Sequence, residues 1–454
     1  MTRVVVLMQE NKTTDYYFPS LAAWGAEVQN NGNLLAAPPL PDPEHNRSAW
    51  VHYKIGDYSA ATVQIDSDRV IPYYSWLAKQ FTFCDHHFGM GTNSTPGHML
   101  AVGGQTPTLR NPFQKPTPVW DLPTIFKHVE RAGISWGAFT GADRYPTQFY
   151  AELSDPASQA HIYTSRDPAS DGFTKMANAG TLPDFCFVWS PSGYDEHAPS
   201  KQKPDPAYVQ KGQDLTWQRV DAVVQAGGWR DTIFMLTWDD WGGYADHVAT
   251  PNAETVADAL HPNGFQVLGG SRIPLVMFGG QVKQGIEPNW HSHACILKTV
   301  IDLFRLPAFG VPRVDTARSL AGRVDAALNR PAPPGRGSAI VQPPAPSPRP
   351  RPVPPAPWEG PNAKLLPNLV ANHGKSVPAP TDGAVGPNPP SLPAGLGGPG
   401  PSPTKHGRAT TAAKGRRRTS SAKGRRTPSA KSRRRTPVVK GRRTAPRARG
   451  AKRR

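Results

Sequence analysis

A chain of 454 residues with a formal charge of +18 reads at first as a nucleic-acid binder, but residues 405–454 alone carry 6 Lys, 15 Arg and no acid, which leaves the rest at −3. Of its 52 prolines, 23 fall in 331–404, a stretch with too little apolar periodicity to offset the entropy of ordering it. Three scattered cysteines (Cys84, Cys186 and Cys295) exclude a disulfide framework, and no run is long and apolar enough to suggest a membrane span.

In chain order, short apolar runs bounded by turn formers predict strands buried on both faces: VVVLM at 4–8, ISWGAF at 134–139, FCFVW at 185–189, TIFMLTW at 232–238 and IPLVMF at 273–278. FTFCDHHF at 81–88 is expected as a further strand, and HMLAVGGQ at 98–105 as the beginning of a helix. Helical patterns cover IFKHVERAG at 125–133, RVDAVVQAG at 219–227 and ACILKTVIDLF at 294–304. The alternation predicts an α/β fold over residues 1–325, a mostly parallel central sheet flanked by helices. A Pro-rich disordered linker is expected over 326–404, and a disordered Lys/Arg-rich repeat tail over 405–454.

Open α/β sheets bind ligands beyond the carboxyl ends of their strands, so the residues after each predicted strand carry the functional reading. The first strand is followed by Gln9-Glu10-Asn11, and the 185–189 strand by a loop reaching Asp195-Glu196-His197. The 232–238 strand leads into Asp239-Asp240 and then Asp246-His247. After 273–278 the chain reaches His291-Ser292-His293, and after 81–88 it reaches GTNSTPGHM at 91–99. Carboxylates, an amide and imidazoles drawn from separate elements are the donors of a divalent-metal site, and a hydroxyl beside them is what a hydrolase needs as nucleophile. Singly, each has a plainer reading: a solvated Asp-Asp loop, a structural His-x-His, and Ser94-Thr95-Pro96 as a capped helix start. Together, at five strand ends, they favour the metal site.

VVVLMQENKTTDYYF at 4–18, FTFCDHHF with the hydroxyl motif behind it, DEHAP at 195–199, TWDDWGGYADHV at 237–248 and HSHACILKTVIDLF at 291–304 resemble, in order and approximate spacing, one known family. It is the bacterial phospholipase C and acid phosphatase phosphoesterase family, a branch of the alkaline phosphatase superfamily. The resemblance implies an alkaline phosphatase-like fold, and its Ser/Thr/Cys-x-Pro nucleophile motif selects Ser94 over Thr92 and Thr95. It implies that Glu10, Asn11, Asp239 and Asp240 hold a divalent metal ion of open identity, with Ser94 as hydroxyl ligand. His197 and His293 match active-site histidines that could ligate a second ion, together with Asp195, or act on the leaving group; His247 matches a further candidate catalytic position. Three departures stand out. Asp240 occupies a position where Glu is usual, and Lys12-Thr13-Thr14 one where Arg-Ser-Phe is common. Gly97-His98 replaces Asn-Arg, so that His98 would supply only part of an arginine's bidentate hold on phosphate.

The expected activity is therefore metal-dependent hydrolysis of phosphate esters, of a phospholipid or a small phosphoester, through a phosphoseryl intermediate. A phospholipase C-like phosphodiesterase is the leading reading and a phosphomonoesterase a close second; a non-catalytic, DNA-associated protein is the alternative of another class. The tail repeats KGRRRT, KGRRT, KSRRRT and KGRRT, starting at 414, 423, 431 and 440, are expected to bind DNA or another polyanion by counterion release, without reading sequence. As written the chain has no signal peptide, which predicts a cytoplasmic protein; a leader lost ahead of Met1 would make it secreted or periplasmic, as is usual for the family resembled.

Overall fold

The computed structural model describes residues 3–346 apart from 47–48, 51–52, 54–58, 91–92, 109–110, 113–116, 200–203, 249, 251–253, 257–264 and 268. The basic tail expected at 405–454 and the linker beyond 346 lie outside the described residues. Eight strands form the main sheet: β1 (Arg3–Gln9), β2 (Thr82–Cys84), β3 (Trp136–Gly141), β4 (Ile162–Ser165), β5 (Phe185–Trp189), β6 (Thr232–Trp238), β7 (Leu275–Gly279) and β8 (Gly285–Glu287). Their order across the sheet is β8-β2-β7-β6-β1-β5-β3-β4. Every pairing is parallel except those of β7, which runs against both β6 and β2. β5, β6 and β7 are buried along their whole length, and β1 from Val4 onward, which is why their sequences read as unbroken apolar runs.

The main helices are α1 (Pro72–Gln80), α2 (Ser94–Gly103), α3 (Ile125–Arg131), α4 (Gly172–Asn178), α5 (Tyr208–Gln225) and α6 (His293–Phe304). Side chains alternate across a strand, so β3 shows how the layers divide. Trp136 meets Phe126 of α3 with ring centroids 4.9 Å apart, while Phe139, on the opposite face, meets Phe173 of α4 at 5.3 Å. α2 packs with α3 and α6 on the first side, and α5 with α4 and α1 on the second. Buried Arg219 of α5 pairs with buried Asp171 at 2.8 Å and also donates to Ser190 Oγ at 2.9 Å, which fixes the loop after β5 against the helix layer.

Two features differ from the sequence expectation. FTFCDHHF is not one strand: it turns at Asp85-His86 and continues as His87–Met90, the middle strand of a separate sheet with Gly269–Arg272 and His291–Ser292. The 273–278 run is a strand, but its antiparallel direction sends its carboxyl end to the far edge of the sheet. β8, parallel to β2, brings the chain back, and only then does it reach His291-Ser292-His293. Residues beyond 325 are hydrogen-bonded back to the α/β domain. Arg330 N–H donates to the Gly280 carbonyl at 2.7 Å and the Gln342 amide to the Pro72 carbonyl at 2.8 Å, so the segment is held by one backbone hydrogen bond at Arg330 and one side-chain hydrogen bond at Gln342. No described helix is long and apolar enough to cross a membrane.

Candidate functional site

Three adjacent parallel strands, β5, β1 and β6, end at the same edge, and their outgoing loops are joined there. Glu10 N–H donates to the Asp195 carbonyl at 2.8 Å, and Asp239 N–H to the Gln9 carbonyl at 3.1 Å. Asn11 turns the chain with φ +65°, a left-handed conformation that asparagine tolerates better than most residues, and its N–H donates to Asp239 Oδ1 at 2.8 Å. Opposite it, Gly242 at φ +61° donates to Asp240 Oδ1 at 2.9 Å, and a Cβ there would lie 2.1 Å from the Asn11 carbonyl oxygen. Only glycine fits at that crossing.

Ser94 is the first residue of α2, half-buried, with Oγ 3.5 Å from Asp240 Oδ2. The helix can lie this close because Gly97 has no side chain: a Cβ there would meet the Asp239 carbonyl oxygen at 2.3 Å. Gly97 in place of the usual asparagine is thus a packing requirement of this chain. One turn after Ser94, His98 Nε2 lies 3.0 Å from Glu10 Oε1 and 3.6 Å from Asp239 Oδ2.

The charge balance of this edge calls for a cation. Burial first, then Asp195 and Asp240, push Glu10 well above the ordinary carboxylate range; burial, Asp240 and Glu10 do the same to Asp239. Burial raises Asp240 to about 7 and Asp195 to about 6. One terminal atom of the Asn11 amide lies 3.0 Å from Oδ1 of both Asp239 and Asp240, and the other 3.2 Å from His197 Nε2. With its nitrogen turned inward the amide donates to both carboxylates and accepts from His197. With its oxygen inward it joins a ring of acceptors that only a cation satisfies. An all-oxygen set of carboxylates and an amide suits a hard divalent ion, so these residues fit the metal that the sequence implied.

The other candidates divide. Asp195 and His197 reach the site: His197 N–H donates to Asp195 Oδ1 at 3.2 Å, and its Nδ1 faces the Ala198 carbonyl at 3.0 Å. His293 lies behind the carboxylates, fully buried, with Nε2 3.0 Å from the Trp238 carbonyl and its pKa driven down to about 4 by burial. Among the described residues, Asp195, His197 and His293 do not form a convergent ligand group, whereas Glu10, His98 and Asp239 do. His247 belongs to a different cluster, with Nδ1 2.6 Å from Asp15 Oδ2 beside Arg272.

Two residues carry weight that sequence reasoning missed. Glu196, between the two expected site residues of DEHAP, is fully buried and receives Tyr74 Oη at 2.7 Å, Tyr17 Oη at 2.8 Å and Trp238 Nε1 at 3.1 Å. It anchors the loop that presents Asp195 and His197. Trp189, the last residue of β5, donates from Nε1 to His98 Nδ1 at 3.0 Å; a buried indole usually finds such an acceptor, which was the available signal. A cavity of about 990 Å³ opens from Glu10, Ser94, Asp195 and His197 toward Tyr145 and Arg166.

The chain has relatives among known proteins. The chain is 25% identical to non-specific phospholipase C3 of Arabidopsis thaliana, over 65% of this chain and 58% of that protein. It is 23% identical to the non-hemolytic phospholipase C of Pseudomonas aeruginosa, over 72% and 57%. It thus spans less than two thirds of the length of either relative. Among solved structures, an alkaline phosphatase superfamily protein from Vibrio parahaemolyticus is matched at 14% identity and TM-score 0.38, over 69% of this chain and 68% of that one. The lipoteichoic acid synthase LtaP from Listeria monocytogenes is matched at 11% and 0.42, over 69% and 76%. The Phosphoesterase family model matches residues 1–307, well over half of the sequence, and the chain belongs to that family.

Proposed function

We propose that the chain is a metal-dependent, phospholipase C-like phosphodiesterase with Ser94 as nucleophile and a phosphoseryl intermediate. The observation that carries this reading is the position of Ser94: at a helix N-terminus, opening on the cavity, with Oγ beside Asp240 and the buried carboxylates just behind. Glu10, Asn11, Asp239 and Asp240 are the residues assigned to the divalent ion. When bound, the ion supplies positive charge that favours ionisation of a neighbouring hydroxyl and draws electrons from phosphorus.

Ser94 Oγ attacks phosphorus, the new P–O bond forms as the ester P–O bond breaks, and the alcohol leaves with a proton. The positive end of the α2 dipole favours the negative phosphoryl oxygens, although Thr95 N–H already donates to Asn111 Oδ1 at 2.8 Å and Gly97 N–H to the Asn93 carbonyl at 3.1 Å. His197, at the cavity rim, is assigned to proton transfer to the leaving oxygen and from the water that later hydrolyses the phosphoserine. The cavity, at about 990 Å³, exceeds what a bare phosphate needs, and Tyr145, Trp189 and Tyr208 line it, which supports a diester with a sizeable alcohol group. The relatives named phospholipase C support the same class.

The test is hydrolysis of bis-p-nitrophenyl phosphate against p-nitrophenyl phosphate by the full chain, with and without chelator. The diester should be the better substrate, with activity lost in chelator and restored by a divalent ion. Full activity in chelator overturns the metal assignment, and a preference for the monoester overturns the diester.

A further inference from the structure

Glu10, His98 and Asp239 offer ligand atoms that all lie within 4.8 Å of one another, the arrangement of a two-carboxylate, one-histidine metal triad. The ring's other nitrogen argues against that role. An indole N–H can only donate, and Trp189 Nε1 lies 3.0 Å from His98 Nδ1, so Nδ1 presents its lone pair and the ring proton sits on Nε2. That proton points at Glu10 Oε1, 3.0 Å away, with Asp239 Oδ2 next nearest at 3.6 Å. To bind a metal through Nε2, the ring would have to lose its one N–H proton and become an imidazolate, or abandon Trp189, which is only 4% exposed and would lose that acceptor. The edge-on ring of Tyr145, its centroid 4.9 Å away at 85°, holds the imidazole from a further side.

We propose that His98 is a positioning residue: locked by Trp189 as the Nε2–H tautomer, it donates to Glu10 and holds this carboxylate beside Asp239, and is not itself a ligand. This rests on the reading that Glu10 and Asp239 hold a divalent ion. Ser94 and His98 are four residues apart on one helix and so share a face. The helix that delivers the nucleophile thereby also sets the position of a metal ligand, and the two move as one body.

The test uses the full chain with Zn²⁺ as probe. Long-range ¹H–¹⁵N histidine spectra should show His98 protonated at Nε2 and unprotonated at Nδ1, both before and after Zn²⁺ is added. Loss of the Nε2 proton on addition, with a metal-shifted Nε2 signal, would overturn the proposal. By calorimetry His98→Gln, which keeps a terminal N–H donor, should bind Zn²⁺ close to the unaltered chain, and His98→Ala should bind about 10- to 100-fold more weakly, as expected for loss of an outer partner. Trp189→Phe frees the tautomer without touching the carboxylates, so the Nε2–H signature should become mixed and the affinity fall; an unchanged tautomer in this variant also overturns the proposal. A folded, unaltered chain that binds neither Zn²⁺ nor the hard ions Mg²⁺ and Ca²⁺ refutes the cation reading instead, while the ring spectra still decide the contact between His98 and Glu10.

Discussion

Two acidic clusters grow from the same pair of chain segments and meet the same electrostatic problem in opposite ways. Glu10, Asp239 and Asp240 sit at the first residues after β1 and β6, and Asp15, Asp246 and His247 a few residues further along each segment. The second cluster contains its own cation: fully buried Arg272 reaches Asp15 Oδ1 at 2.7 Å and Asp246 Oδ1 at 3.0 Å. Burial alone would raise Asp15, but the hydrogen bond from His247 and the Arg272 charge outweigh it and leave its pKa below the usual carboxylate value, whereas Asp246 is raised by burial and by Asp15, with Arg272 offsetting only part of the rise. Among the described residues, no guanidinium is paired with the first cluster. Its nearest ammonium, Lys12, is drawn away to the Glu196 carbonyl at 2.9 Å and Asp42 at 3.4 Å, and the carboxylates stay raised. A buried acidic cluster therefore points to a bound metal only where the chain has not already supplied the positive charge.

The largest expected effect tests the first cluster at its nucleophile. Ser94→Ala should lower kcat by at least about 10³-fold while the folded protein still binds a divalent ion, measured by single-turnover kinetics and calorimetry; wild-type turnover would remove Ser94 from the chemistry. Asp239→Asn should cost divalent-ion affinity by about 100-fold or more, since even outer partners of ligands are worth up to that much. Arg272→Met sharpens the contrast from the other side. Leaving two buried carboxylates without their partner should destabilise the fold by about 3–5 kcal/mol in urea titrations, yet leave the ion affinity of the first cluster largely intact. Loss of both would mean that the clusters are one unit.

A smaller effect concerns pH. The folded pKa values of Asp240 and Glu196, about 7, and of Asp195, about 6, lie above those of the unfolded chain. The stability this brings is full below about pH 4 and is lost as pH rises through 6 to 7. Chelator-treated protein should therefore melt at a higher temperature at pH 5.5 than at pH 8. A saturating divalent ion should remove the share due to Asp240 and Asp195 and leave that of Glu196, which faces hydroxyl and indole donors. The smallest change should come from His247→Gln: His247 is a third exposed, so its bond to Asp15 is worth less than about 1 kcal/mol after screening by solvent, with turnover near that of the unaltered chain. A large loss of turnover would return His247 to the active site.

What could be read in advance follows from range. β1, β5, β6 and β7 announce themselves because burial on both faces leaves no polar alternation, and the motif after each of the first three marks a real strand end. The direction of β7 was not legible, because an apolar run has the same composition whichever way it points. β4 has a mixed burial pattern as the edge strand, so its four residues gave no period to find. The surroundings of His247 and His293 were not legible, because their partners, Asp15 beside Arg272 and the Trp238 carbonyl, are distant in sequence. Glu196 and Trp189 were hidden for the same reason, their roles being defined by side chains arriving from other elements.

The segment past residue 325 has a practical consequence. Trp217 Nε1 donates to the Pro334 carbonyl and Trp229 Nε1 to the Arg330 carbonyl, each at 2.8 Å. A shortened protein cut at 325, where composition invites the cut, would strip the acceptors from two indoles and uncover the aromatic surface around them. It would tend to self-associate for reasons unrelated to catalysis. Cutting after Gln342 keeps both tryptophans capped, and tryptophan emission would distinguish the two truncations before any substrate is added.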